Sequence, residues 1–549
     1  MTAAPDRRLR PVVLGGYAAK SCARKTHNDY DPTLTRPPEP ETPPELQRLF
    51  DMGNAHEAVV FASWAKLDLD VLKLNERDLS KALHIEATVQ AMHEGRAVIL
   101  GGRLPDDLEG GRGGKPDVLL RAVDGPGYYP ADVKGHLVLD AKGTDGLISS
   151  LQAPTVRAPS ETHALRHREE DLLQLAHYRR MLEACGQATA DLFGAIIGND
   201  PEPQLAWYDL TEPRFRTFSR TKGALKRSAM ERYDHEQQFR LQVAKVAQQR
   251  TGSPDDPEPL VSPIGQEECL TCIWAPVCVE ALPADDLSRE LLGALSVREY
   301  LGLRAQGVET LEQLASADLE GLLDSSYAQD TANRANRKAR LYQAHVAAQL
   351  ARDGVVLRLK PDAVFEVPEA PVEIDLDMEC TRDNRVYLWG ALVTQDGRSS
   401  YHPFADLNVA DTDGEYAVAR RCFDWIKDNH PDAIVFHYAQ VEKTHAQRIL
   451  GDDAVRYDGT AAAFRTWLDL HPPTKACLES RAGLGLKVVA TEGASFRWRD
   501  DDPGGLNSQR WLDQARAGDQ ASWQRILDYN EDDVRATLAV RRFLRTATT

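Results

Sequence analysis

Apolar residues recur every three or four positions over 45–70 and 78–94, a spacing that predicts two amphipathic helices. The period then shortens. Residues 97–104, 117–123 and 128–133 read as strands, with a DGPG turn at 124–127 between the last two. A long helical stretch follows at 161–184 and a buried strand at 190–197. The first part thus reads helix, strands, helix, strand. Residues 283–352 read as helical, and strands return at 372–377, 385–393 and 433–437, alternating with helices. Pro- and acid-rich stretches at 31–44, 253–263 and 360–371 punctuate the chain, and the third is the best domain boundary.

The 549 residues suggest three or four domains at roughly 150 residues each. With 42% hydrophobic and 27% charged residues, a wholly disordered or fibrous chain is excluded. No apolar run approaches the ~18–20 residues of a membrane span. Arg7, Arg8 and Arg10 precede only a short apolar stretch broken by Gly15 and Gly16, so no signal or transit peptide is expected and the expected location is cytoplasmic. A net charge of −18 argues against a protein that coats nucleic acid passively, since phosphate neutralisation drives such binding. It leaves room for an enzyme with a local basic groove and acidic metal sites. Residues 214–232 form one such local excess, with seven basic residues against Glu231 and with Phe215 and Phe218 interleaved. That run suits either a solvated helix face or a track for a nucleic-acid backbone with bases on the rings.

Eight cysteines are too few for a secreted disulfide framework. Cys269, Cys272 and Cys278 are spaced C-x2-C-x5-C, and Cys22 lies far upstream. Four thiolates suit tetrahedral zinc or an iron–sulfur cluster, and would staple the two ends of a domain together.

Two acidic sets carry candidate chemistry. In the first, His56 opens a helix, Asp117 opens a strand, Asp132, Val133 and Lys134 lie in the next strand, and Gln174 and Tyr178 follow on a helix. Asp132 and Lys134 share a strand face, and Gln174 and Tyr178 share a helix face. Two carboxylates and a histidine can hold a divalent cation, and a lysine beside them can orient water or stabilise charge at phosphorus. In the second set, Asp377 and Glu379 share a strand face, which Asp375 shares by parity. Tyr529 and Asp533 lie four apart on a C-terminal helix, and His437, Tyr438 and Glu442 follow an intervening strand. Between the two sets, Gly307 marks a helix–turn–helix phrase that resembles a helix-hairpin-helix unit; a plain helical linker is the other reading.

The first set, with one cysteine before it and three after, resembles the RecB-family nucleases of the PD-(D/E)xK superfamily. Within them it looks like the iron–sulfur branch of AddB nuclease domains and CRISPR adaptation nucleases. The resemblance spans roughly 10–282 and implies a [4Fe-4S] cluster on Cys22, Cys269, Cys272 and Cys278, with Mg2+- or Mn2+-dependent DNA cleavage. It further implies metal ligation by His56, Asp117, Asp132 and the Val133 carbonyl, catalysis by Lys134, and support from Gln174 and Tyr178. The second set resembles the DEDD exonucleases of the RNase H-like fold, with Asp377, Glu379 and Asp533 as metal ligands and Tyr529 orienting water. There the second-motif acid departs from the family's Asn-Asp pattern, and Glu442 is its candidate. The order of parts is similar to that of a family of bacterial and archaeal RecB-like nucleases.

The expectation is therefore an α/β chain with a restriction-endonuclease-like domain and cluster staple at 1–282, a helical segment at 283–358 and an RNase H-like domain at 359–549. It would act on DNA that is single-stranded or has free ends, with a possible helicase partner. The alternatives are a non-catalytic nucleic-acid-binding scaffold and an RNA-processing nuclease.

Overall fold

The computed structural model describes residues 11–75, 79–141, 143–361, 363, 365–382, 384–451, 467–501 and 505–547. The start of the helix expected from residue 78, and Arg7, Arg8 and Arg10, lie outside them. Two units are found. One takes the chain to Thr310 together with Asp318–Leu341, and the other takes Leu311–Ala317 and Tyr342–Thr549. The stretch expected as a separate helical segment is shared between them.

The first unit is built on a mixed sheet. Its strands are β1 (Val71–Lys73), β2 (Val98–Leu100), β3 (Val118–Arg121), β4 (Tyr128–Val133), β5 (Leu147–Ser150), β6 (Ala158–Pro159), β7 (Phe193–Ile197) and β8 (Gln204–Asp209), in the order β1-β2-β3-β4-β7-β8-β5-β6. β4 runs parallel to β7 and antiparallel to β3. The helices α1 (Ala23–Tyr30), α2 (Pro44–Trp64), α3 (Lys81–Glu94), α4 (Glu169–Ala184) and α5 (Ala229–Gln248) flank it. Val60, Phe61 and Trp64 of α2 pack on Val118, Leu120, Tyr129 and Ala131, while Leu172, Leu175 and Ala176 of α4 join Ile196 and Tyr208. Strands buried on both faces explain the near-continuous apolar runs VIL, VLL and GAII.

Some expected bounds move. The first helix ends at Trp64, and residues 65–70 form a turn that leads into β1. The long helix begins at Glu169, because 164–165 pair with 139–140 as a small ladder. The basic run at 214–232 is mainly a hairpin, β9 (Phe215–Ser219) and β10 (Gly223–Arg227), rather than a helix. Gly223, at φ +69°, takes the left-handed turn position.

The main sheet of the second unit has five strands: β11 (Val372–Cys380), β12 (Val386–Gln395), β13 (Arg398–Ala405), β14 (Ile434–His437) and β15 (Trp467–Asp469). Their order is β13-β12-β11-β14-β15, with the first three antiparallel and β14 and β15 added in parallel to β11. This is the RNase H-like arrangement. α6 (Thr412–Asn429) and α7 (Val441–Leu450) follow β13 and β14. α8 (Gly505–Arg516) and α9 (Gln520–Ala547) close the chain, and Trp511, Ile526 and Tyr529 join the core of β11 and β12.

Candidate active site

In the second unit the centre of the sheet carries the acids. β11 places Asp377 and Glu379 on one face, and α9 brings Asp533 against them. Among the described residues, these three form the one group of metal-ligating side chains whose ligand atoms all lie within 4.8 Å of one another. Glu442 arrives from α7 and acts electrostatically on Asp377, and one of its buried oxygens has no hydrogen-bond partner. Its other neighbour is His437, with Nδ1 3.4 Å from Oε2. Ala439, between that strand and α7, has φ +72°, a strained conformation for a residue with a Cβ. Glu442, the candidate for the departing second-motif acid, thus acts on Asp377 but stands outside the group of three.

Each carboxylate is held by a neutral donor. Ser508 Oγ donates to Glu379 (2.8 Å), Trp498 Nε1 to Asp533 (2.7 Å) and Asn530 Nδ2 to Asp377 (2.8 Å). Tyr401 in turn donates to Asn530 Oδ1 at 2.8 Å. A Cβ on Gly390 would sit 1.8 Å from that oxygen, so the glycine makes room for the asparagine. Tyr529 hydrogen-bonds Asp533, and burial pushes its pKa far above the usual phenol value. Asp375 is the exception to the parity expectation. It pairs with Arg541, through Nε at 3.0 Å and Nη2 at 2.8 Å, and so does not join the other acids.

Burial and mutual repulsion raise the acids' pKa values. Burial, then Asp533, pushes Glu379 up to about 8, and burial pushes Asp533 up to about 6. Asp377 is raised well above its usual range by burial and then by Asp533 and Glu442. Three acids whose ligand atoms lie within 4.8 Å of one another, with an unsatisfied Glu442 oxygen close by, fit a divalent cation. A pH dependence follows. Without a cation, a carboxyl whose folded pKa is raised stabilises the fold fully below its unfolded pKa and loses that contribution as pH rises through the folded value. For Glu379 that window runs from 4.5 to about 8. Chelator-treated protein should therefore lose thermal stability across it, and added Mn2+ should raise the melting temperature more at pH 8 than at pH 5. Equal gains at both pH values in scanning fluorimetry would count against cation binding here.

In the first unit β3 and β4 bring Asp117 and Asp132 side by side. Val133 N–H donates to Asp117 Oδ2 (2.8 Å) and Lys134 Nζ lies 2.5 Å from Asp132 Oδ2. Neither Asp132 oxygen has a well-formed hydrogen bond despite near-complete burial. Lys134 also donates to Gln174 Oε1 (3.1 Å), and Gln174 Nε2 to Tyr178 (3.2 Å). Burial raises the pKa of Asp117, with Asp132 adding to the effect. Burial opposes the Lys134 charge, yet Asp132 holds its pKa above the usual lysine value. Five of the expected residues with Val133 therefore converge.

His56 does not complete the set, since no trio of ligand atoms here meets the 4.8 Å spacing found in the second unit. Its buried Nε2 has no partner. Its neighbour Glu57 bears on Asp117, Asp132 and Lys134 instead, and burial raises its pKa. Lys20 is a second residue not singled out from the sequence, with Nζ 3.4 Å from Gln174 Oε1. Its place two residues before Cys22 was the available signal.

Cys22, Cys269, Cys272 and Cys278 line one cavity with Arg24 and Trp274. Gln266 Nε2 points at Cys22 Sγ (3.3 Å), Gln266 N at Cys269 Sγ (3.4 Å) and Asn28 Nδ2 at Cys278 Sγ (3.5 Å). A single tetrahedral zinc, with Zn–S of about 2.3 Å, needs sulfurs about 3.8 Å apart. No three of these sulfurs lie within 4.8 Å of one another. The N–H groups aimed at three of them suit anionic sulfur, on a single metal or on a cluster.

A family model of the RNase_H superfamily, RNase_H_2, matches residues 375–545. No curated protein and no solved structure matches the chain. The matched span carries Asp377, Glu379, Glu442, Tyr529 and Asp533, supporting a nuclease-type enzyme with a metal-binding acidic cluster.

Proposed function

We propose that the chain is a metal-dependent DNA nuclease that trims single-stranded ends at its RNase H-like site. The observation that carries this is the convergence of Asp377, Glu379 and Asp533, with Glu442 beside Asp377. Divalent cations bound there would supply Lewis acidity for phosphodiester hydrolysis. The chain's own part is to hold the carboxylates through Ser508, Asn530 and Trp498 and to orient the attacking water. Tyr529, kept protonated, suits a positioning role rather than that of a base.

The first unit is proposed as a second nuclease centre of the PD-(D/E)xK kind, in which Lys134 stabilises charge at phosphorus beside Asp117 and Asp132. The order α3, β2, β3, β4, α4 and β7, with only short strands between β4 and α4, supports it, as does the buried Asp132 Oδ1 without a partner. The four cysteines are proposed to hold a [4Fe-4S] cluster with a structural role. A second reading, in which this unit only binds nucleic acid, is favoured by the position of His56.

The test uses anaerobically purified protein with Mn2+ and end-labelled single-stranded DNA, with the RNase H-like site silenced by Asp377→Asn. Metal-dependent cleavage other than mononucleotide release from the 3′ end should persist in that variant and disappear when Lys134→Ala is added. No cleavage in Asp377→Asn alone would leave the first unit as a binding scaffold, and cleavage surviving Lys134→Ala would remove the lysine's role. The same preparation should hold about four irons and four sulfides per chain, lost in Cys269→Ser. Zinc in their place would overturn the cluster.

A further inference from the structure

The hairpin β9–β10 has two unlike faces. Phe215 packs into the core and Thr217 is buried, so the alternate positions Arg216, Phe218 and Lys226 share the opposite face. Arg216 donates to the Ala332 carbonyl (2.8 Å), and Gln329 Nε2 to the Arg220 carbonyl (3.5 Å), which fixes the hairpin against the helix Ser326–Asp330. Between them is a hollow of about 380 Å³ lined by Phe218, Arg220, Arg298, Leu301, Gln329 and Asp330.

Arg298, on the helix Val297–Ala305, lies with its guanidinium carbon 3.8 Å from the centre of the Phe218 ring. Partial burial lowers its pKa, and the positive Arg232 and Arg220 act in the same sense, while Asp330 on the same hollow and Glu236 act against it. Among the described residues, neither Arg220 nor Arg298 is in an ion pair. Two unpaired guanidinium groups at one hollow are conspicuous in a chain of net charge −18. One carboxylate, Asp330, lines the hollow against two guanidinium groups, which leaves an excess of positive charge for a further anion to answer. Guanidinium forks match phosphate oxygens, and a guanidinium plane over a ring offers a stacking surface to a base.

We propose that this hollow is a binding subsite for single-stranded nucleic acid, in which Arg220 and Arg298 take backbone phosphates and the Arg298–Phe218 stack takes a neighbouring base. The site lies outside both acidic clusters, and it rests on the nuclease reading for the identity of its ligand.

The test is fluorescence anisotropy of a labelled oligothymidylate with the full chain in EDTA, which stops metal-dependent cleavage, over a series of salt concentrations. For the Arg220→Gln/Arg298→Gln variant we expect affinity to fall about tenfold. The slope of log K against log salt should flatten by about 1.4, from two phosphate contacts at about 0.7 each. Phe218→Leu should weaken binding with the slope unchanged. Arg220→Gln alone, at an exposed position, should flatten the slope by about half as much, which covers the case of an unstable double variant. Wild-type slope and affinity in a folded Arg220→Gln/Arg298→Gln protein that still cleaves DNA would overturn this subsite and leave the nuclease reading standing. No oligonucleotide binding by wild type would overturn both.

Discussion

Replacing Asp377 by Asn is expected to slow mononucleotide release from a 3′-labelled single strand by about 10³-fold. Asp377 is the acid on which Asp533, Glu442 and Glu379 all act, so it is the group best placed to be shared by two cations. Metal-supplied charge stabilisation is worth several kcal/mol, and about 4 kcal/mol corresponds to about 10³ in rate. The substitution keeps the shape of the side chain and its place beside Asn530, so the fold should survive. The check is single-turnover release in Mn2+ alongside a melting curve. Activity within about tenfold of wild type in a folded protein would sink the RNase H-like site as the trimming centre.

A second large effect is expected in stability. Arg541 is wholly buried, bonds both oxygens of the equally buried Asp375, and also reaches Glu373. Its guanidinium lies 4.5 Å from the centre of the Phe436 ring. Arg541→Met should cost about 3–5 kcal/mol, because it strands a carboxylate in the sheet. Glu373 keeps Arg545, so Asp375 is the group left bare. Adding Asp375→Leu should recover much of the loss by removing that charge. Urea unfolding measures both, and a cost under 1 kcal/mol, the size of an exposed pair, would contradict the assignment.

These two residues show where the chain could be read and where it could not. Period-two spacing placed Asp375, Asp377 and Glu379 on one face of β11, and the structure agrees. It could not distinguish a site acid from a structural one, since the partner that claims Asp375 lies 166 residues away. The same holds for Glu442, a weak match to its motif whose place depends on how β14 and α7 fold onto β11. Asn530 stood within the YNEDD phrase, but its role needs Tyr401 and the missing side chain of Gly390. In the first unit, Asp117, Asp132 and Lys134 were legible because neighbouring strands carry them. Glu57 was not legible there, because the apolar spacing marks the buried stripe of α2 and not which of two adjacent polar residues faces the acids. The basic run was legible as charge but not as a hairpin, because the aromatic interleaving also suits a helix face.

The meeting of Cys22 with the distant triplet has a consequence for timing. The Cys22 N–H is accepted by Glu268, 246 residues further along the chain. At about 5–20 residues per second of synthesis, Cys22 waits roughly 12–50 s on the ribosome before its partners exist. Just ahead of it, Lys20 reaches Gln174 at the first acidic site. The arm carrying that lysine is thus fastened at its cysteine end only after the sheet and both acids have been made. A nascent chain broken off before residue 266 would keep Asp117, Asp132 and Lys134 yet lack this fastening, so completion of the nearby site is tied to synthesis through the cysteine triplet.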